Sequence, residues 1–239
     1  MYKNSCQFLR SSCGWSTGID RTEASIMNAY LEVIEKAKNF IYIENQYFIS
    51  GISAEDAQNP ILEKLIDKLI EKITSKQKFR IIILIPVVPE DPGDIKGSDG
   101  NTKRLLLELE YKSISRGDNS ILGQLSKHTD NISEYILFLS LRNHGVSPKT
   151  GQPHTNGIYV HSKLLIVDDD WMIFGSANIN DRSMLGNRDS EIVMITYDNN
   201  RVEGIMDDKP IEYSNTVHQF RKKIFMNTFS MTEHEVQDP

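Results

Sequence analysis

Residues 158–183 read IYVHSKLLIVDDDWMIFGSANINDRS, and their spacing decides how the rest of the chain is read. His161, Lys163 and Asp168 fall in the pattern H-x-K-x4-D, followed by Gly175-Ser176-x-Asn178. Ile158 to Val167 is rich in β-branched and apolar residues and reads as a strand. Residues two apart on a strand share a face, so His161 and Lys163 are expected to project together. The Asp168-Asp169-Asp170 run has turn chemistry, and Trp171 to Phe174 reads as a second apolar strand. The pair makes a β-hairpin whose open end would return Ser176 and Asn178 to the neighbourhood of His161 and Lys163.

An imidazole beside an ammonium, with a hydroxyl and an amide nearby, suits phosphate chemistry. Lysine supplies a fixed positive charge for non-bridging oxygens. Serine and asparagine supply neutral donors for charge that builds on a five-coordinate phosphorus. The imidazole can attack phosphorus or carry a proton.

These residues carry a resemblance. The block YVHSKLLIVDDDWMIFGSANINDRSMLGNRDSEI resembles the second, C-terminal HKD block of the eukaryotic phospholipase D family. FIYIENQYFI (residues 40–49) resembles the segment that opens the second half of that catalytic region, and FLRSSCGWSTG (residues 8–18) resembles its approach. Weaker likenesses run through Ile82 to Pro92, SISRGDNSIL and YILFLSLRNHG. The resemblance implies an α/β phospholipase D-like fold, a mixed sheet flanked by helices on both faces, here as one of the two family halves. Residues 1–239 would form the C-terminal catalytic half, with the HKD block at 158–191 and a helical tail at 214–239.

Two-motif members build one active site from two HKD blocks, and this chain has one. His128, His144, His154, His218 and His234 have no lysine two residues later. The resemblance therefore implies a partner, either an N-terminal HKD half or a second copy in a homodimer. It implies hydrolysis of a phospholipid such as phosphatidylcholine, at a membrane surface, through a phosphohistidine. No metal or other cofactor is implied. The N-terminal motif supplies the nucleophile in the family, which makes His161 the general acid/base. In a homodimer, one copy of His161 would attack and the other would protonate. Competing readings are a one-motif homodimeric phosphodiesterase or nuclease, and a catalytically silent module that binds lipid or a partner.

Lys163 is expected to bind phosphate. Asp168 names the motif but lies in the turn, where it is expected to hold the hairpin by hydrogen bonds. Glu191 lies where the family places a carboxylate against the second imidazole nitrogen, with Asp189 as the alternative. Ser176 and Asn178 are expected phosphate-pocket donors, and Arg182 a structural partner of a nearby carboxylate. Glu44, Asn45 and Gln46 sit inside an apolar strand, where unpaired polar groups are costly. They form either a satisfied buried network or a substrate-positioning row. Trp15 and Trp171 read as core or pocket walls.

The 239 residues carry 33 acidic against 27 basic side chains, a net charge of −6 that disfavours a nucleic-acid binder. Cys6 and Cys13 make neither a zinc pattern nor a disulfide framework, which favours a reducing, cytoplasmic setting. The N-terminus lacks the apolar core of a signal peptide, and the apolar run Ile81–Val88 is too short to span a bilayer. Membrane contact is thus expected to be peripheral.

Residues 22–39 read as a helix capped by Thr22, Phe40–Ile49 as a strand, and Pro60 as the first position of an amphipathic helix. Phe79–Ile85 reads as a strand buried on both faces, and Pro86–Gly100 as a loop. Helices follow at 102–116 and 120–127, a strand at Tyr135–Leu141 and a polar loop at Asn143–Asn156. A strand spans Glu191–Tyr197, and a helix runs around Thr216–Phe229. On that helix Arg221-Lys222-Lys223 reads as a solvated face.

Overall fold

Three consecutive aspartates in the hairpin turn tie together three separate parts of the chain. The computed structural model describes residues 5–53, 57–89, 100–198, 200–206 and 209–237. The chain opens with β1 (Ser5–Ser12), a single turn α1 (Gly14–Thr17), β2 (Glu23–Ala24) and α2 (Ser25–Lys36). It continues through β3 (Phe40–Glu44), α3 (Ile61–Thr74), β4 (Arg80–Leu84), α4 (Asn101–Ile114), α5 (Ile121–Leu125) and β5 (Ile136–Leu139). A ribbon follows, β6 (Arg142–Val146) and β7 (Pro153–Gly157), and then the hairpin β8 (Leu164–Val167) and β9 (Trp171–Gly175). The chain then forms α6 (Asp181–Met184), β10 (Glu191–Tyr197), β11 (Arg201–Met206), β12 (Lys209–Ser214) and α7 (Asn215–Phe229).

Eight strands form one mixed sheet in the order β2-β1-β10-β9-β8-β3-β4-β5. β3, β4 and β5 are parallel, and the other neighbours are antiparallel. Helices cover both faces, as expected for this fold class. On one face α2 buries Ile26, Tyr30, Val33 and Ile34, and α3 buries Leu62, Leu65 and Leu69. These spacings put the apolar residues on one side of each helix, packed on Ile41, Ile81 and Leu165 of the sheet. On the other face α7 packs Val217 and Phe225 against Tyr42, Leu164 and Ile166. β4 is buried from both sides, with Ile81 and Ile83 in the first core and Ile82 against the second.

The β8–β9 hairpin forms as its sequence predicts, with Val167 opposite Trp171 and Leu164 opposite Phe174. Asp168 and Asp169 adopt φ of 52° and 54°, a left-handed conformation that aspartate tolerates in turns. The Asp168 carboxylate accepts the backbone amides of Lys38 (2.6 Å), Asn39 (2.8 Å) and Phe40 (2.8 Å). It thus fastens the turn to the entry of β3. Asp169 is fully buried and accepts Arg221 Nη2 at 2.7 Å, and it pairs with His218 Nδ1, also at 2.7 Å. Burial pushes its carboxyl up, but the hydrogen bonds from Arg221 and His218 outweigh burial and hold it below its usual range. Asp170 accepts Arg201 of β11.

Several boundaries differ from the sequence reading. The strand expected over Ile158–Val167 begins only at Leu164, and residues 158–163 are irregular. The strand expected over Phe40–Ile49 stops at Glu44, after which Phe48 makes an isolated parallel bridge to Ile179. Thr22 does not cap α2. Ala24 occupies that position, and the Ser25 hydroxyl turns back to the Arg10 backbone. Pro60 immediately precedes α3 rather than starting it. Part of the expected Asn143–Asn156 loop is the β6–β7 ribbon, fully exposed and held by its ladder and a His144–Thr155 side-chain bond of 2.9 Å. Of the expected Pro86–Gly100 loop, residues 90–99 lie outside the described residues. The Arg221-Lys222-Lys223 cluster is no solvated face: Arg221 is fully buried and Lys222 nearly so. Trp15 is 76% exposed and belongs to no core, whereas Trp171 stacks on Tyr197 at 4.7 Å.

Arg221→Leu leaves the Asp169 carboxylate buried with His218 alone. It is expected to lower the unfolding free energy by about 3–5 kcal/mol in urea denaturation. A loss below about 1 kcal/mol would show that the aspartate turn is not the anchor described here.

Candidate functional site

All of the residues marked by the sequence except Asp168 gather at one end of the sheet. That end holds the carboxyl ends of β3 and β9 and the amino ends of β8 and β10. It is also the carboxyl end of the parallel strands β3, β4 and β5, where open α/β sheets bind ligands. The Gly175 amide donates to the Lys163 carbonyl at 3.2 Å and the Ser176 amide to the Ile192 carbonyl at 3.0 Å. These two backbone bonds bring the segment after β9 back beside Lys163.

Lys163 is buried, 8% exposed. Its ammonium donates to Gln46 Oε1 at 2.8 Å and to the His161 carbonyl at 2.7 Å. Asn178 Nδ2 shares the Gln46 oxygen at 3.4 Å, so Gln46 joins the lysine to the asparagine. Burial lowers the Lys163 pKa to about 8, against the opposing pull of the Glu191 carboxylate. Asn45 is fully buried and structural: its Oδ1 accepts the amides of Tyr47 and Ile179, both at 3.2 Å. Glu44 accepts the Tyr42 hydroxyl at 2.7 Å and the Ser162 hydroxyl at 2.6 Å. The three polar residues in the apolar run therefore divide: Asn45 braces the backbone, while Glu44 and Gln46 face the motif. Asn178 Oδ1 and Asn45 Nδ2 are buried without a hydrogen-bond partner.

His161 is exposed, its ring stacked on Tyr159 with centroids 5.9 Å apart. Its imidazole makes no hydrogen bond to a described residue. The expected pairing with Glu191 is not formed. Glu191 instead accepts the Ser176 hydroxyl at one oxygen and the Ser183 hydroxyl at the other, the latter at 2.6 Å. The reason lies in the backbone: residues 158–163 are not strand, so His161 and Lys163 do not share a face. Lysine turns inward and histidine outward. Asp189, the alternative, is taken up by Arg182, both of whose bonds measure 2.8 Å. This is the structural pairing expected of Arg182. Asp168 sits at the far end of β8, about 16 Å along the strand from Lys163. That distance keeps it away from a group bound at the Lys163 ammonium, and it ties the turn to residues 38–40 rather than bracing the hairpin itself.

A model described as Phospholipase D matches residues 11–239. The chain belongs to the phospholipase D family. Phospholipase D1 of Cricetulus griseus is 41% identical over 237 residues, which cover 98% of this chain and 23% of that protein. Phospholipase D zeta 1 of Arabidopsis thaliana is 43% identical over 207 residues, covering 86% of this chain and 19% of that protein. The chain thus spans less than a quarter of the length of these relatives. Among solved structures, NucT from Helicobacter pylori is a loose likeness, with a TM-score of 0.47 at 12% identity over 95% of this chain and 97% of that one.

In this phospholipase D family chain, four further residues shape the site that spacing alone did not single out. Ser162 and Tyr42 hold Glu44. Ser183 holds Glu191 and is positioned by α6, whose cap Asn180 accepts the Ser183 amide at 3.0 Å. Glu110 of α4 is buried and accepts the Phe48 amide at 3.0 Å, fixing the segment that carries Gln46. Burial pushes its carboxyl up to about 8, in spite of that amide. A serine in a loop and a glutamate on a mostly polar helix carry no periodic signal, so only the folded contacts reveal them. Chemically, the cluster offers one buried cation with amide donors beside it, and an imidazole open to a facing surface.

With the folded Lys163 pKa near 8 and the ordinary lysine value above it, the unfolded chain binds the extra proton between them. Rising pH therefore stabilises the fold across that window, while it removes the ammonium that an anion needs. Sulfate keeps its charge over this range, so its affinity is expected to fall as pH rises through about 8 in calorimetric titrations. Lys163→Gln should abolish that dependence; a dependence that survives the substitution would remove Lys163 from the anion site.

Proposed function

We propose that the chain is the C-terminal catalytic half of a phospholipase D. It hydrolyses phospholipid phosphodiesters, of which phosphatidylcholine is the model, to phosphatidic acid and the free head-group alcohol. The observation that carries this reading is the Lys163 ammonium. It is buried with Gln46 and Asn178 at the open end of the hairpin, next to an exposed His161. One half offers a phosphate cradle and one imidazole, and two-step transfer needs two. The second HKD motif comes from an upstream half or from another chain.

The chemistry divides accordingly. The partner's imidazole attacks phosphorus and forms a nitrogen–phosphorus bond. The bond to the head-group oxygen breaks, and His161 gives that oxygen its proton. His161 then takes a proton from water, which attacks phosphorus, breaks the nitrogen–phosphorus bond and releases phosphatidic acid. Lys163 and Asn178 serve the non-bridging oxygens, while the one hydroxyl proton of Ser176 is taken by Glu191. Glu191, held by Ser176 and Ser183, lies close enough to Lys163 to favour its charge. No described helix is long and apolar enough to cross a membrane, and the reading places the chain in the cytoplasm, at the membrane surface only peripherally.

Short-chain phosphatidylcholine with added butanol tests this directly, since a phosphohistidine passes its phosphatidyl group to butanol. Phosphatidylbutanol is expected from assemblies with two HKD motifs and not from the monomer. His161→Ala should cut the rate by about 100- to 10,000-fold. Turnover by a verified monomer, or turnover indifferent to His161→Ala, would overturn the mechanism.

A further inference from the structure

We infer that Glu44 is a positioning residue for His161: its carboxylate fixes the backbone at Ser162 and thereby sets where the neighbouring imidazole stands. This deepens the phosphodiesterase reading of the same site and rests on it. Residues 158–163 leave the sheet, so strand pairing cannot place His161. Among the described residues, no backbone–backbone hydrogen bond holds residues 160–162. The flanking bonds run from the Ile158 amide to the Leu141 carbonyl at 2.9 Å and from the Gly175 amide to the Lys163 carbonyl at 3.2 Å. Between them the segment is held by side chains. Lys163 donates to the His161 carbonyl, Tyr159 stacks on the imidazole, and the Ser162 hydroxyl donates to Glu44 Oε2 at 2.6 Å. The first of these belongs to the cation that must also meet a ligand. The Glu44 contact is independent of that cation.

Glu44 stands on a fixed base. It is the last residue of β3, paired with Leu84 of β4 on one side and Leu164 of β8 on the other. Two residues back on the same face, Tyr42 is fully buried and donates its hydroxyl to Glu44 Oε1 at 2.7 Å. The Tyr42 ring meets Phe225 and Phe229 of α7 edge-on, with centroids 5.0 Å and 6.2 Å away. Burial, with the Glu44 carboxylate beside it, holds that phenol far above its usual range, so it remains a donor. Each carboxylate oxygen thus takes one hydroxyl, one from the core and one from the motif. The competing role is a contact to the cationic head group of the substrate, which a carboxylate would attract. The geometry favours positioning, because both oxygens are already engaged and short bonds to a carboxylate are the strong ones. Without that bond the Ser162 backbone, and His161 with it, is no longer confined to one place. A reacting group displaced by about 1 Å loses on the order of 100-fold in rate.

Two readouts test this, one on the chain alone and one in turnover. In NMR spectra of the chain with isotope-labelled histidine, the His161 ring resonances are assigned by their loss in His161→Ala. They carry the ring current of Tyr159. Ser162→Ala and Glu44→Ala should each move them toward the position of free histidine, and the two together should move them no further than either alone. Ser162→Thr, which keeps the hydroxyl, should leave them in place. Ser162 is exposed, so its substitution spares the fold even where Glu44→Ala, which strips a buried tyrosine of its acceptor, does not. In two-motif assemblies that form phosphatidylbutanol, Ser162→Ala should lower kcat about 10- to 100-fold with KM unchanged, and Ser162→Thr should restore it. Unmoved His161 resonances in Ser162→Ala, or shifts that simply add in the double substitution, would overturn the assignment. So would a raised KM with kcat intact, which would make Glu44 a substrate contact. No turnover from any two-motif assembly, with the resonances moving as expected, would fault the phosphodiesterase reading and leave Glu44 as the residue that places His161.

Discussion

The packing around the β8–β9 hairpin depends on the Asp168-Asp169-Asp170 turn. Each carboxylate reaches a different element: the entry of β3, the buried face of α7, and Arg201 of β11. Two of the three residues hold a left-handed backbone that only a few residue types accept. The turn therefore does more than reverse the chain. It aligns β8 with β3 and fixes the helix that covers the second face. A buried carboxylate is a costly anchor unless its donors are in place, and here Arg221 and His218 supply them. Arg221 also donates to the Val236 carbonyl, so the C-terminal segment is fastened to the same knot.

The opposite end of the hairpin carries the proposed site. Lys163 is taken out of water in advance, and its charge is satisfied by an amide oxygen and its own chain's carbonyl. On the proposed function, a phosphate oxygen arriving there would meet a cation that is already desolvated, in surroundings where charge interactions are stronger than in water. Asn45 and Glu110 do not face the ligand, yet they fix the backbone from residue 45 to 48 that places Gln46. Second-layer contacts of this kind give a phosphate cradle its geometry.

The hairpin, its polar returns and the helices with clean periodicity were legible in the sequence, because burial on one side imposes a repeat on residue types. Glu191–Tyr197 forms the strand it spells. What escaped follows a common cause. β1 contains only a few buried residues and owes its strand to the ladder with β10. The β6–β7 ribbon has no buried side at all. Arg221 and Lys222 read as a charged surface because residue type cannot show that a carboxylate waits across the core. In the site, the motif located His161 and Lys163 but not their orientations. That required knowing that strand pairing starts at Leu164, which depends on where β3 ends. Glu191 lies beside Ser176 and Ser183 rather than His161, and those hydroxyl partners come from segments whose sequence carries no repeat.

The distance between knot and cradle has an evolutionary reading. Residues that decide whether the chain stays folded sit at one end of β8, and residues that meet a ligand sit at the other. Substitutions this far apart combine additively. The segments after β3 and β9 can therefore vary without drawing down the stability held by the aspartates. A family that shares one fold and diversifies its substrates would be expected to conserve the first end and explore the second.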